Sequence, residues 1–317
     1  MAKKNIDRRR AAIEIAKRNR RKEIWRHREL YIFMIPALIV LFIFSYVPMY
    51  GVIMAFQQVK FGVPIWENQW VGLYNFKRFF NSAWFGTTIK NTVVISLLQN
   101  VLLWPAPLLL ALLLHNSSSK KVSKFVQNFT YLPHLLSTVI VVSILNLFCA
   151  GETGLINILL DNMGHDRINF FGEKAWVYPL YIISGIWQST GYEAIVFLGS
   201  LSAVDESLEE AAMIDGAGKL KRIWYIQLPC ILPTVITMLI LNMGKLFAMG
   251  ADKMLLLQTD MNLEASEVIA TYVYKTGFGS AQYGFSTAVG LFQNIINLIM
   301  LFLVNKVSKK LTDISIM

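Results

Sequence analysis

The stretch that decides the fold is Asp205–Pro233, which reads DESLEEAAMIDGAGKLKRIWYIQLPCILP. Ser207 and Glu210 have the S-x-x-E spacing of a capping box, so a short helix is expected to start there. Gly216 allows the left-handed turn that stops a helix. A second short amphipathic helix is expected to end at Leu228–Pro229, with its proline in the first turn of the next helix. The stretch therefore predicts a helix-turn-helix that is joined directly to a long apolar segment.

Long apolar segments lie on both sides of this stretch. Of the 317 residues, 55% are hydrophobic and only 16% are charged, whereas a soluble domain carries about 25% charged residues. A helix needs about 20 apolar residues to cross a hydrocarbon core of about 30 Å. The sequence therefore predicts an all-α membrane protein with six transmembrane helices. The predicted spans are Tyr31–Phe56, Thr92–His115, Val126–Cys149, Trp176–Leu201, Leu228–Gly250 and Phe285–Val304.

The distribution of basic residues predicts the orientation and the domains. With the N-terminus inside, 21 of the 30 Lys and Arg residues lie in inner segments and eight in outer ones, which favours both termini in the cytoplasm. Twelve of them lie in residues 1–30, a basic arm suited to anionic membrane lipid, so nucleic acid is not an expected partner. The predicted domains are this arm, a six-helix transmembrane domain over 31–306 that includes the cytoplasmic loop 205–229, and a short cytoplasmic tail over 307–317.

The sequence lacks the motifs of phosphate-binding, metal-binding and nucleophilic catalytic sites. A G-x-x-x-x-G-K-[ST] phosphate loop does not occur, because Gly244-Lys245 is followed by Leu246 and Leu239 stands where the first glycine should be. The four histidines show no metal-ligand spacing, and no nucleophile elbow is present. Neither a catalytic residue nor a metal site is predicted, and the chain is not expected to be an enzyme.

The cytoplasmic stretch resembles the EAA loop of binding-protein-dependent ABC importer permeases. In that family the loop is the coupling helix that seats in a cleft of the ATPase subunit. Other motifs, such as Tyr46–Gly51 and Tyr131–His134, resemble the carbohydrate-uptake branch, and more narrowly permeases for multiple-sugar or aldouronate-type oligosaccharides. The resemblance implies ATPase-coupling roles for Glu210, Ala211, Ala212, Asp215, Gly216, Ala217, Leu228 and Pro229.

This resemblance also implies the fold and the partners. The expected fold is that of a type I ABC importer permease in the plasma membrane of a prokaryote. The expected partners are a second, homologous and non-identical permease subunit, two ABC ATPase subunits and an extracellular solute-binding protein. ATP and Mg would be bound by the ATPases, so no cofactor is expected in this chain. The implied function is ATP-driven import of sugars, in particular oligosaccharides, by alternating access.

Candidate substrate residues lie on the fourth and fifth predicted spans. Gln188 and Tyr192 share one helix face at i, i+4, as do Ser189 and Glu193, and a stripe at i, i+3, i+4 and i+7 starts at Asn242. In maltose-type permeases, positions at these distances from the EAA glutamate line the sugar site. Carried over without gaps, the resemblance implies Gln188, Ser189, Tyr192, Asn242, Lys245, Leu246 and Met249.

The residues themselves leave other roles open for these positions. Polar side chains inside a membrane also serve as hydrogen-bond partners between helices. Lys245 could extend to the membrane surface instead of contacting substrate, or could suit an acidic sugar. Leu246 and Met249 depart from the polar residues expected in a sugar site. Rival functions are an ABC permease for a non-sugar solute, an ion-coupled secondary carrier and an intramembrane enzyme.

Overall fold

The computed structural model describes residues 28–244 and 249–312, so most of the predicted basic arm lies outside the described residues. The chain divides into two compact units, Met1–Ile53 and Met54–Met317. In the first unit, the described residues are helical from Arg28 onward and pass through a π-turn. Its elements are α1 (Arg28–Leu41), the π-turn Phe42–Tyr46, α2 (Val47–Met49) and the start of the 3-10 helix Tyr50–Phe56.

The described part of the second unit consists of helices, the loops that connect them and one short antiparallel ladder, in which β1 (Gln57–Gln58) pairs with β2 (Gln69–Trp70). The remaining α-helices are α3 (Tyr74–Phe80), α4 (Phe85–Leu103), α5 (Pro105–His115), α6 (Lys120–Tyr131), α7 (Thr138–Cys149), α8 (Leu155–Asn162), α9 (Lys174–Leu201), α10 (Glu206–Ile214), α11 (Lys219–Arg222), α12 (Leu228–Gly244), α13 (Ala251–Leu257), α14 (Leu263–Ser266), α15 (Ile269–Tyr274) and α16 (Tyr283–Thr312).

Among the described residues, four helices are long and apolar enough to cross a membrane. A fifth candidate is the pair Lys120–Leu135 and Thr138–Cys149, which is bent by 102°. Helix α9 has the length for a span but is not one of the four, because polar residues interrupt its apolar run. The four are Arg28–Phe56, Phe85–His115, Lys219–Met243 and Tyr283–Lys310.

The predicted third span, Val126–Cys149, is wrong as a continuous helix. The chain leaves helical geometry at Leu136, where ψ is 137°, and Ser137 then caps α7 by accepting a bond from the Ile140 amide. A break at membrane depth leaves backbone groups without helical partners. Here Gln188 Nε2 on α9 donates to the Leu136 carbonyl at 3.1 Å. A side chain distant in sequence therefore stabilises the break.

Helix α9 is the centre of the second unit and packs against α4, α5, α6, α7, α12, α13 and α14. A neighbouring backbone comes close to α9 at Gly191, where an added Cβ would stand 2.1 Å from the Thr130 carbonyl oxygen of α6. Small residues let helix backbones come this close inside a membrane. Buried side chains of α9, including Tyr181 and Phe197, enter two apolar clusters along its length. The arrangement fixes the polar face of α9 against α4 and α12.

Candidate functional site

Helix α10 is the first helix of the predicted coupling stretch, Asp205–Pro229, and spans Glu206–Ile214. The predicted capping box at Ser207 and Glu210 is wrong, because the N-cap is Asp205, whose Oδ1 accepts a 2.9 Å bond from the Ser207 amide. That amide, and then the Ser207 hydroxyl, lowers the pKa of Asp205. The carboxylate also lies at the positive end of the helix dipole, which further stabilises its charged form.

The left-handed turn predicted at Gly216 is confirmed, with φ at +77°. The Gly216 amide donates to the Met213 carbonyl at 3.1 Å, and the Ala217 amide donates to the Ala212 carbonyl at 2.8 Å. Together these two bonds form a Schellman motif, which satisfies carbonyls that a helix end otherwise leaves open. The turn therefore holds the end of α10 in a fixed direction.

The second helix of the stretch does not end at Leu228–Pro229, contrary to the prediction. Helical structure runs from Lys219 to Met243 through a π-turn at Ile223–Gln227. A proline inside a helix clashes with the carbonyl four residues earlier and lacks an amide donor. The wider π-turn directly before Pro229 relieves this conflict, so α11 and α12 form one continuous helix.

Glu209, rather than the exposed Glu210, ties α10 to the membrane helices. Its Oε1 accepts a 2.7 Å bond from Gln227 Nε2, and its Oε2 accepts a 3.1 Å bond from Arg222 Nη1. Gln227 also exchanges two amide bonds with Asn116 after the end of α5, at 2.8 and 3.0 Å. His115 Nε2 lies 3.7 Å from Glu209 Oε1. We call Glu209, Arg222, Gln227, Asn116 and His115 the loop anchor.

The side of the coupling stretch opposite the loop anchor is exposed to solvent. Ile214 and Leu220 are 87% and 73% exposed, an apolar surface of the kind that marks protein contacts. The predicted coupling residues Glu210, Ala211, Asp215, Gly216 and Pro229 are exposed, whereas Ala212, Ala217 and Leu228 are half-buried. Their role in ATPase coupling stays a prediction.

A cavity of about 260 Å³ lies between α4, α9 and the end of α12, and we call it the polar cavity. Two of its lining atoms, Ser96 Oγ and Trp104 Nε1, are buried and have no hydrogen-bond partner among the described residues. Convergent polar groups in a concave site are what a ligand site requires. The lining residues are Ser96, Gln99, Asn100, Leu103, Trp104, Tyr181, Ser189, Glu193, Asn242, Met249 and Gly250.

The structure brings together three of the seven predicted substrate residues, Ser189, Asn242 and Met249, at this cavity. The helical stripe that was expected to run from Asn242 to Met249 is wrong at its far end, because Met249 is not helical. Met249 lines the cavity from the chain that leads into α13. Lys245 and Leu246 lie outside the described residues.

The other two predicted substrate residues, Gln188 and Tyr192, face away from the polar cavity. The Gln188 amide is bonded to Leu136 at the helix break. Tyr192 stacks on His134 with ring centroids 3.9 Å apart and planes 3° from parallel. These contacts favour the alternative that the sequence left open, in which such side chains join neighbouring helices.

Sequence reasoning missed the wall of the cavity that α4 supplies. Ser96, Gln99 and Asn100 follow one another at i, i+3 and i+4 inside an otherwise apolar span, and this spacing places them on one helix face. That pattern could have identified these three residues. For the loop anchor, the adjacent Glu209 and Glu210 could have indicated the region. Among the described residues no group of three His, Cys, Asp or Glu side chains could hold a metal ion.

Comparison with known proteins identifies the family. Residues 105–313 match the family described as the binding-protein-dependent transport system inner membrane component. The chain belongs to this family. It is therefore a membrane permease subunit of an ABC importer and not an enzyme, as the sequence predicted.

Two similar proteins come from Bacillus subtilis strain 168. The polygalacturonan/rhamnogalacturonan transport system permease protein YteP is 39% identical over 300 residues, which cover 93% of this chain and 94% of YteP. Protein LplB is 38% identical over 285 residues, which cover 90% of each chain. The likeness thus extends over nearly the whole permease.

A solved structure of a bacterial ABC transporter involved in the import of the acidic polysaccharide alginate contains a similar chain. The two chains share 36% identity, the TM-score is 0.84, and the match covers 92% of this permease and 98% of that chain. The coarse fold prediction, an all-helical type I ABC permease, is therefore confirmed.

Proposed function

We propose that this permease is one half of an importer for oligosaccharides, working by alternating access. The observation that carries the proposal is the continuity of α11 and α12. One unbroken helix runs from the solvent-exposed side of the coupling stretch to Asn242 at the polar cavity. A push on the stretch therefore reaches the cavity without crossing a flexible link.

The polar cavity suits a sugar, which presents many hydroxyl groups. Ser189, Asn242 and Asn100 supply donors and acceptors, while Tyr181 and Trp104 supply flat apolar surface. The substrates in the names of the relatives, a polygalacturonan/rhamnogalacturonan and alginate, support a saccharide as the solute.

The proposed assembly contains a second, homologous permease subunit, two ATPase subunits and an extracellular solute-binding protein. A solved complex of the alginate importer includes a periplasmic protein carrying an alginate pentasaccharide, and its similar chain is 35% identical. ATP and Mg belong to the ATPases in this proposal, and this chain holds no cofactor. Closed ATPases and the loaded binding protein favour the same outward-open state, which couples hydrolysis to transport.

In the membrane we propose six spans with both termini in the cytoplasm of a prokaryotic cell. The six are α1 with its continuation, α4–α5, the bent pair α6–α7, α9, α11–α12 and α16. Single cysteines at Ser207 and Ser280, both exposed, test this orientation in a variant without Cys149 and Cys230. A membrane-impermeant maleimide should label position 280 in intact cells, and position 207 only after permeabilisation. The reverse pattern would refute the orientation.

The function is tested with the complete importer in proteoliposomes. Oligosaccharides of defined length, presented with the binding protein, should stimulate ATP hydrolysis and enter the vesicles. A peptide or phosphate presented with the same binding protein should do neither. Stimulation by one of those solutes and by no saccharide would refute the proposal.

A further inference from the structure

A lysine that the sequence did not single out lies beside the polar cavity. Lys253 is on α13 and is half-buried. Its Nζ donates to the Tyr181 carbonyl at 3.3 Å and lies 5.1 Å from the centroid of the Tyr181 ring. Lys253 Nζ and Gln99 Nε2 each lie 3.9 Å from the place where a Cβ on Gly185 would stand. The ammonium and the amide thus converge on a glycine of α9, next to the cavity wall.

This ammonium has no acidic partner among residues 28–244 and 249–312. The five ion pairs in that part of the chain involve other basic residues. A charge that is partly removed from water without a counter-ion lowers stability, so a position that keeps one is a candidate for function. The carbonyl and the aromatic ring of Tyr181 orient the ammonium but leave its charge unneutralised.

The adjoining wall of the cavity offers further donors. Gln99 and Tyr181 belong to the lining, and Trp104 Nε1 is a buried lining donor without a partner among the described residues. An indole N–H can only donate. Glu193 lines the same cavity but follows Gly185 by eight residues, roughly 12 Å along the helix. Lys253 and Gln99 therefore supply a positive charge and an amide donor beside Gly185, and Trp104 Nε1 is a further donor in the lining of the cavity.

We propose that Lys253, assisted by Gln99 and Trp104, binds the carboxylate of an acidic sugar unit as it passes through the polar cavity. This inference rests on the proposed oligosaccharide import and names the class of substrate: oligosaccharides that contain uronate units. A carboxylate supplies the counter-ion that Lys253 does not find among the described residues, and it accepts hydrogen bonds from the nearby N–H donors, whereas the hydroxymethyl group of a neutral hexose supplies no charge. The cavity volume of about 260 Å³ suits a single sugar unit at a time.

The test compares two labelled trisaccharides that differ only in charge: an α-1,4-linked galacturonate trimer and the same trimer with its carboxyl groups reduced to alcohols. Equilibrium binding is measured on the complex of permease and ATPase subunits in nanodiscs without the binding protein. The selectivity of that protein then does not enter the result. The variants are Lys253→Met, Lys253→Arg and, as a matched loss of an exposed lysine, Lys60→Met.

The wild-type complex should bind the uronate trimer at least tenfold more tightly than the neutral trimer. Lys253→Met should weaken binding of the uronate trimer far more than binding of the neutral trimer and so remove this preference, while Lys253→Arg and Lys60→Met should retain the preference. Equal affinities in the wild type, or an equal loss for both trimers in Lys253→Met, would overturn the inference and leave oligosaccharide import standing. If neither trimer nor any other saccharide binds or stimulates ATP hydrolysis with the binding protein present, the proposed function itself fails.

Discussion

The loop anchor predicts what happens when Glu209 is replaced by alanine. The change removes the acceptor of two bonds, from Gln227 at 2.7 Å and from Arg222 at 3.1 Å, and leaves the guanidinium without its carboxylate. The Arg222 and Glu209 side chains are only 13% and 19% exposed, so water replaces these bonds incompletely. A hydrogen bond to a charged group contributes about 1.5–3 kcal/mol, and two that share one side chain are not additive, so we take about 3 kcal/mol for both.

This loss acts on the position of α10 and not on the fold as a whole. At about 1.4 kcal/mol for each factor of ten, it lowers the population with α10 seated on the loop anchor by roughly 100-fold. Backbone amides in α10 should therefore exchange hydrogen faster by up to the same factor. In the importer, ATP hydrolysis should continue while the amount of solute transported per ATP falls, because the coupling stretch no longer moves with the membrane helices.

The assay measures both quantities in the assembled importer, namely hydrogen exchange of residues 206–214 and solute uptake per ATP hydrolysed. Glu206→Ala is the matched control, since it removes the same charge from the first turn of the same helix at an exposed position. If Glu209→Ala and Glu206→Ala give the same exchange and the same coupling ratio, the loop anchor does not hold α10.

Two glycines give further predictions, each with a control glycine nearby. Gly191→Ala places a Cβ 2.1 Å from the Thr130 carbonyl oxygen, so α9 and α6 must separate at a cost of about 1–3 kcal/mol. The melting temperature of the purified protein should therefore fall. Gly199→Ala, with open space around it, should not lower the melting temperature. Gly216→Ala forces a side chain into left-handed geometry at about 1–2 kcal/mol and should reduce uptake per ATP, whereas Gly218→Ala, at φ −68°, should leave it unchanged. Unchanged melting in the first case, or unchanged coupling in the second, would contradict the packing or the turn described here.

The sequence predicted those parts of the fold that depend on neighbouring residues. Apolar runs located the helices that contain Tyr31–Phe56 and Phe285–Val304, and the glycine at position 216, after a predicted short helix, predicted the left-handed turn. Both signals are local, because a helix in lipid satisfies its own backbone and glycine alone adopts that turn without strain. The family resemblance followed from the same stretch.

Features that depend on contacts distant in sequence were missed. The break at Leu136 is stabilised by Gln188, 52 residues away. The orientation of Glu209 depends on Gln227 in the π-turn before α12, which is in turn held by Asn116 after the end of α5. The spacing of glutamates gave no reason to choose Glu209 over Glu210. For the cavity, counting positions from the coupling stretch located Ser189 but could not reach α4, which joins the site only in three dimensions.

The unbroken helix α11–α12 has a mechanical consequence. From Lys219 to Asn242 it acts as a lever roughly 35 Å long at 1.5 Å per residue. A tilt of only 5° about its cytoplasmic end displaces the far end by about 3 Å, the width of one hydrogen bond. In the proposed mechanism, a small rotation at the cytoplasmic end would therefore become a step large enough to make or break contacts with a solute in the polar cavity.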